Sequence, residues 1–349
     1  MIKQSLVSPP TLSRVFTSED RARCISDGGL LGIALRLPCK CNLKCRYCYS
    51  TKTSDGISIE SILSFCSQAR ALGARTCSIV GDGEPLFFPQ LAELISSLRL
   101  MKMDVILYSN LTGLSESTID FLIDHEVTLV FKQNSLDEEK QDWLCGVKGT
   151  HKKIHYWLNV LIKKGYVSRL KNRLSVHTIV CRQNLDEIPE MWRRWRDDGI
   201  LPQVQQISFF HPEEEYLTLA ISPREVGELF EELRKIDNTF GYDWIPMPPI
   251  APYGCSVHYT SCALRTNGDI SICGYTDKII GNVLEQPLDE IISSDEVKKM
   301  RGRTPPTTSK CFLCALRVRH GCYGCIADNV CRGKSYFDDY DQCWLGLAE

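Results

Sequence analysis

The segment Cys41-Asn42-Leu43-Lys44-Cys45-Arg46-Tyr47-Cys48 places three thiols in one short stretch. Three thiolates can hold three corners of a cubic iron–sulfur cluster and leave its fourth iron open, whereas a structural zinc site or an ordinary electron-transfer cluster takes four protein ligands. An open iron can bind a further molecule, so the spacing points to chemistry and not only to electron storage. Cys39 lies just upstream and offers a fourth thiol, which would close a zinc knuckle instead. On this stretch alone both readings stay open.

The rest of the cysteine usage favours metal. The chain has 18 cysteines in 349 residues, and its start, Met1-Ile2-Lys3-Gln4-Ser5, lacks the apolar core of a secretory signal. A cytoplasmic protein is expected, and there thiols stay reduced, which weighs against a disulfide framework. No apolar run is long enough for a membrane span. A net charge of −2 gives no field for gripping a phosphate backbone, so nucleic acid is not an expected partner. A second concentration of cysteines runs from Cys255 to Cys343: Cys262-x10-Cys273 around Gly268, Cys311-x2-Cys314, Cys322-x2-Cys325-x5-Cys331, then Cys343. Such C-x2-C pairs serve zinc and iron–sulfur clusters alike.

The elements that must position these residues alternate along the chain. Strands are expected at Gly32–Leu37, Cys77–Val80, Val105–Tyr108, Val127–Phe131, Leu174–Val180 and Val204–Phe210. Between them, apolar residues recur at helical spacing after the candidate caps Ser58 and Ser115, over Leu91–Leu98, over Ile154–Ile162 and over Ile188–Trp195. Six strand–helix units specify a parallel sheet and are too few to close an eight-stranded barrel. A Pro-rich linker is expected over 240–254, between a lead-in segment (1–30) with the barrel part (31–239) and a cysteine-rich part (255–349). In that last part Asn267-Gly268 reads as a hairpin turn that would bring Cys262 and Cys273 together, and a short strand at Gly281–Val283 precedes a helix with Leu288, Ile291 and Ile292.

The C-x3-C-x2-C triplet, with Tyr47 before its last cysteine, resembles the signature of the radical S-adenosylmethionine enzymes. Gly81-Asp82-Gly83-Glu84-Pro85 resembles their Gly-Gly-Glu-Pro motif, with Asp82 in place of the first glycine. The cysteines from Cys255 to Cys343 resemble the SPASM or twitch extension, although Ser335 stands where a further cysteine is usual. The resemblance implies an α/β fold, a partial (βα)6 TIM-type barrel with a small C-terminal iron–sulfur domain. It implies a [4Fe–4S] cluster on Cys41, Cys45 and Cys48, and S-adenosylmethionine held by the turn of Gly83, Glu84 and Pro85. Further cofactor contacts are expected from Tyr47 in the cysteine loop and from Ser109, Asn110, Lys132, Ser135 and Asn184, with Gln183 beside it, at the strand ends. One or two auxiliary [4Fe–4S] clusters are implied, assigned to Cys262, Cys273, Cys311 and Cys314 and to Cys322, Cys325, Cys331 and Cys343.

The expected chemistry, again from the resemblance, is reductive cleavage of S-adenosylmethionine to a 5′-deoxyadenosyl radical and hydrogen abstraction from a substrate C–H bond. Auxiliary clusters would accept an electron, which suits oxidation or crosslinking of a peptide residue, or dehydrogenation of a sugar or cyclitol. An external reductase, flavodoxin or ferredoxin would supply electrons. No segment before residue 30 resembles a leader-binding domain, which weighs against the peptide reading. Cys255 matches no pair: it is an auxiliary ligand, a hydrogen-atom donor for a redox-neutral epimerase, or a core residue. His177 and His211 are candidate cavity residues, the acidic segment 211–216 a solvated loop, and Cys24, Cys66, Cys77, Cys145 and Cys181 core positions. A zinc-binding interaction protein without turnover is the alternative of a different class.

Overall fold

In a computed structural model, residues 16–347 are described apart from 51, 52, 54, 170–172, 208, 210–212, 249, 254, 256, 303 and 323. Six parallel strands appear in the expected order: β1 (Gly32–Leu35), β2 (Thr76–Ile79), β3 (Asp104–Ser109), β4 (Thr128–Lys132), β5 (Leu174–Val180) and β6 (Leu201–Gln206). Each pairs with its neighbour in sequence. Such an order moves every right-handed crossover in one direction, so the helices gather on one face and the sheet curves into a partial barrel. The local signals hold: Ser58 Oγ accepts from Ser61 N at the start of helix Ile59–Ala71, and Ser115 Oγ from Thr118 N at Glu116–Asp124. The strands are apolar on both faces, as in Thr128–Lys132, where four of five residues are buried.

Some features differ from the expectation. β6 begins at Leu201, three residues before the expected Val204, because Pro202 sits inside a strand and hides its start. The 17-residue helix Pro223–Thr239, opened by a Ser222/Glu225 capping box, has no counterpart in the reading. The acidic segment is helical over Glu213–Leu219, while His211 and Pro212 lie outside the described residues.

The linker is pinned to the barrel. Asp237 is fully buried and accepts from Trp192 Nε1 (2.7 Å), Arg196 Nε (2.8 Å) and Trp244 Nε1 (2.9 Å), and Gln206 N donates to Ile250 O (3.0 Å). Beyond it, β7 (Ser261–Leu264) joins β1 in parallel, and β8 (Asp269–Ser271) and β9 (Ile279–Asn282) follow antiparallel, so one nine-stranded sheet runs β6-β5-β4-β3-β2-β1-β7-β8-β9. The hairpin is therefore the continuation of the barrel sheet, and it carries the cysteine-rich segment to the open edge beside β1. Among the described residues no helix is long and apolar enough to cross a membrane.

Candidate functional site

The cysteine loop leaves β1 at the carboxyl ends of the strands, where open α/β sheets place their ligands. It is held from outside by the end of helix Glu138–Cys145: Lys44 N donates to Cys145 O and Arg46 N to Leu144 O, both at 3.0 Å, and the Arg46 guanidinium stacks over Trp143 at 4.3 Å. Cys41, Cys45 and Cys48 are half-buried and line one cavity. Cys39 is 2% exposed, its thiol donates to Leu37 O (3.3 Å), and burial pushes that thiol up to about 12. It does not join the triplet in lining the cavity, so the four-thiol knuckle does not assemble here.

The Gly81–Pro85 turn follows β2 and lies against this loop. Gly81 has φ +68°, a left-handed conformation, and a Cβ on Gly83 would sit 1.9 Å from Cys39 O. Only glycine permits that approach. It lets Glu84 N donate to Lys40 O (2.9 Å) and aims the carboxylate into the cavity. Glu84 is 3% exposed and accepts from Ser109 Oγ (2.7 Å), Asn110 N (2.7 Å) and Leu86 N (3.2 Å). Burial raises its pKa while these hydrogen bonds and Lys132 act against the rise. Asp82, the departure from the resembling motif, is buried against Arg36 (2.6 Å) and accepts from Ser50 Oγ (3.0 Å), fastening the chain just after Cys48.

Tyr47, Pro85, Ser109, Asn110 and Lys132 line the same cavity. Ser135 and Asn184 do not. Ser135 is fully buried, with its hydroxyl on Glu187 Oε2 (2.6 Å), and the Asn184 amide bonds Asn134 O (2.7 Å), Ile179 O (2.9 Å) and Cys181 N (2.8 Å). Both are braces between strand ends, not cofactor contacts, and Gln183 likewise bonds Thr218 O (3.0 Å) at the surface. The sequence reading missed Arg36, Tyr49, Tyr108, Cys145, Gln205 and Tyr275, which complete the wall. Cys145 is thus a cavity residue and not core alone: its thiol contacts Cys45 and Tyr47. His177 stands one step behind the wall, 4% exposed.

The C-terminal thiols regroup in the fold. Cys262 is 1% exposed and faces Cys66 and Arg301 in the core. Cys273 instead neighbours Cys255 and Cys331, and Cys325 neighbours Cys255 and Cys273. The hairpin register explains the separation. Ala263 pairs with Ser271 and Leu264 with Ile270, so Cys262 shares its face with Leu264 and Ile270, while Cys273 lies beyond the end of β8. The expected set of Cys262 with Cys273, Cys311 and Cys314 therefore does not form. Cys311 neighbours Cys343, and Cys314 follows it in a turn, with Cys314 N donating to Cys311 O (3.4 Å). Cys322 returns after helix Ala315–His320, its N–H on Leu316 O (3.2 Å). Among the described residues, no three such side chains close around the position of a single metal ion.

Comparison with known proteins agrees with this layout. The Radical SAM superfamily model matches residues 36–194, and the SPASM model, an iron–sulfur cluster-binding domain, matches residues 255–315. The chain is 22% identical to an AdoMet-dependent heme synthase of Methanosarcina barkeri, covering 89% of this chain and 95% of that protein. It is also 22% identical to the subtilosin biosynthesis protein AlbA of Bacillus subtilis, over 84% of this chain and 67% of that protein. Among solved structures, Streptococcus suis SuiB bound to S-adenosylmethionine superposes with a TM-score of 0.70 at 17% identity, over 95% of this chain and 84% of that one.

Proposed function

Because this chain is a radical S-adenosylmethionine enzyme with a C-terminal SPASM iron–sulfur domain, we propose that it oxidises a substrate at an unactivated C–H bond, with auxiliary clusters taking the electron released. When bound, the cluster and S-adenosylmethionine supply the 5′-deoxyadenosyl radical that abstracts the hydrogen. The residues present fit both groups. Three half-buried thiols on one loop open onto a cavity whose rim holds a buried carboxylate.

The chain's own side chains then have distinct tasks. Cys41, Cys45 and Cys48 would hold the cluster. Glu84, oriented by Ser109 and Asn110, would receive the ammonium of the cofactor's amino-acid end. Lys132 would receive its carboxylate; burial holds this amine down to about 8, while Cys45, Cys48 and Glu84 favour its charged form. Tyr47, Tyr49 and Tyr108 wall the cavity against water. For the auxiliary sites we assign Cys255, Cys273, Cys325 and Cys331 to one cluster and Cys311, Cys314, Cys322 and Cys343 to the other.

The observation that carries the oxidative reading is the position of Cys255. Its neighbours are Cys273 and Cys325, thiols of an auxiliary site, and it is not among the residues that line the cavity. This favours an electron acceptor beside the substrate over a hydrogen-donating thiol within it. SuiB has been captured with its precursor peptide SuiA, which makes a peptide side chain the first substrate class to test and a sugar or cyclitol the second. Cys255→Ala and Cys262→Ala separate the ligand assignments. Cys255→Ala is expected to lose about four irons per chain, with Cys262→Ala keeping the wild-type count. The reverse pattern would return Cys262 to the cluster and Cys255 to the cavity.

A further inference from the structure

Arg36, the first residue beyond β1, brings a cation into the cavity wall away from the proposed cofactor contacts. Its backbone N–H donates to Leu264 O (2.9 Å), which sets it at the seam between β1 and β7. Glu84, the pair Ser109 and Asn110, and Lys132 come instead from the ends of β2, β3 and β4. Lys132 and Arg36 are three strands apart, about 14 Å along the sheet at the usual strand spacing. Beside Arg36 stands Tyr49, with its ring centroid 5.6 Å from the guanidinium carbon, and Tyr275 meets Tyr49 at 5.8 Å between centroids.

The guanidinium is 9% exposed and only partly bonded. Among the described residues its side chain makes one hydrogen bond, from Nη2 to Asp82 Oδ1 (2.6 Å), an oxygen that also accepts from Ser50 Oγ (3.0 Å). A guanidinium carries five N–H donors in a rigid fork, and the fork pairs with a carboxylate through two of them at once. Asp82 engages it at one nitrogen. Asp82 is itself buried and does not line the cavity, whereas Arg36 does. The cation therefore meets the cavity with donors unused, while its counter-ion stays behind the wall. Buried donors without acceptors cost free energy, so an arriving acceptor is favoured.

We infer that Arg36 anchors a carboxylate of the substrate, held two-pronged beside Tyr49 and Tyr275, and that the enzyme therefore takes an acidic substrate. The inference rests on the reading of this cavity as the cofactor and substrate site. With the amino-acid end of S-adenosylmethionine on Glu84 and Lys132, Arg36 is the other cation that lines the cavity among the described residues. A guanidinium already paired once suits the single charge of a carboxylate. The acid is carried either by a peptide side chain or by a small molecule, and the test separates the two.

The test uses the full chain, reconstituted without oxygen, saturated with S-adenosylmethionine and left oxidised so that the cofactor is not cleaved. N-acetylglutamate N-methylamide and its glutamine counterpart stand for the peptide source, and glutarate and glutaramide for the small acid. By isothermal titration the wild type is expected to bind the acid about tenfold tighter than the amide in at least one pair. A preference in the first pair alone assigns the acid to a peptide side chain, and one in the second pair alone to a small molecule. Arg36→Lys keeps a cation beside Asp82 but loses the fork, so the preference should fall to about twofold. Arg36→Gln/Asp82→Asn removes both charges, leaves no lone buried charge and should abolish the preference. Iron is counted for each variant; should the double variant lose it, Arg36→Lys alone decides. Equal binding of acid and amide by the wild type overturns the inference, as does a preference that survives in the variants. If Arg36→Lys weakens S-adenosylmethionine as much as it weakens the acid, the guanidinium serves the cofactor, and the inference falls while the proposed function stands. A wild-type chain that does not bind S-adenosylmethionine overturns the proposed function itself.

Discussion

Changing Glu84 to Ala is expected to weaken S-adenosylmethionine binding about a hundredfold while the iron content stays near wild type. The carboxylate is 3% exposed and is the acidic group lining the cavity beside the cysteine triplet. Removing one partner of a buried, hydrogen-bonded charge pair costs about 2–5 kcal/mol, and each 1.4 kcal/mol is about tenfold in affinity. The same change leaves Ser109 Oγ, Asn110 N and Leu86 N without the acceptor they now share, so some stability is lost as well. Glu84→Gln keeps an acceptor oxygen for those donors and removes only the charge. Its stability should return towards wild type while its affinity stays low. Anaerobic equilibrium dialysis and a thermal melt of both variants give the two numbers, and an affinity unchanged in both would remove Glu84 from the cofactor site.

Gly83→Ala is expected to act on the cluster loop instead. The added methyl would stand 1.9 Å from Cys39 O and 2.8 Å from Lys40 O. Those atoms are backbone, so no side chain can swing aside and the loop itself must move. Overpacking of this kind costs about 3 kcal/mol. The displaced segment is the one that delivers Cys41, so loss of iron from the triplet should accompany the lower melting temperature. Gly274→Ala is the control, since a Cβ there meets nothing within 4 Å. A Gly83→Ala protein with wild-type iron and stability would mean the turn does not lean on the loop as described.

These two residues were legible because their signals are local. A turn with a carboxylate after a strand, a thiol triplet in one loop and the Asn267-Gly268 hairpin each declare themselves within a few residues. The six strands were legible for the same reason, as short apolar runs separated by helical spacing. What the sequence hid depends on distant partners. Ser135 and Asn184 end strands as cofactor-binding residues do, and only the fold shows Glu187 and Asn134 O taking up their polar atoms. Gln205 and Tyr275 line one cavity from positions 70 apart, which no local pattern reports.

The cysteine grouping failed on register. Counted outward from a two-residue Asn267-Gly268 turn, Cys262 falls directly opposite Cys273. The observed pairing of Leu264 with Ile270 makes the loop one residue longer, which moves Cys262 onto the face of Leu264 and Ile270 and Cys273 onto the other. The partnership of Cys273 with Cys255 and Cys331 depends instead on loops that meet only once β7 has paired with β1.

We propose that Cys41, Cys45 and Cys48 hold a cluster of their own beside two auxiliary ones. It is tested most directly by iron and acid-labile sulfide in the anaerobically reconstituted chain, beside a variant with all three changed to Ala. The expected result is about twelve irons per chain falling to about eight, with sulfide in parallel. Zinc with little iron in both proteins would contradict it.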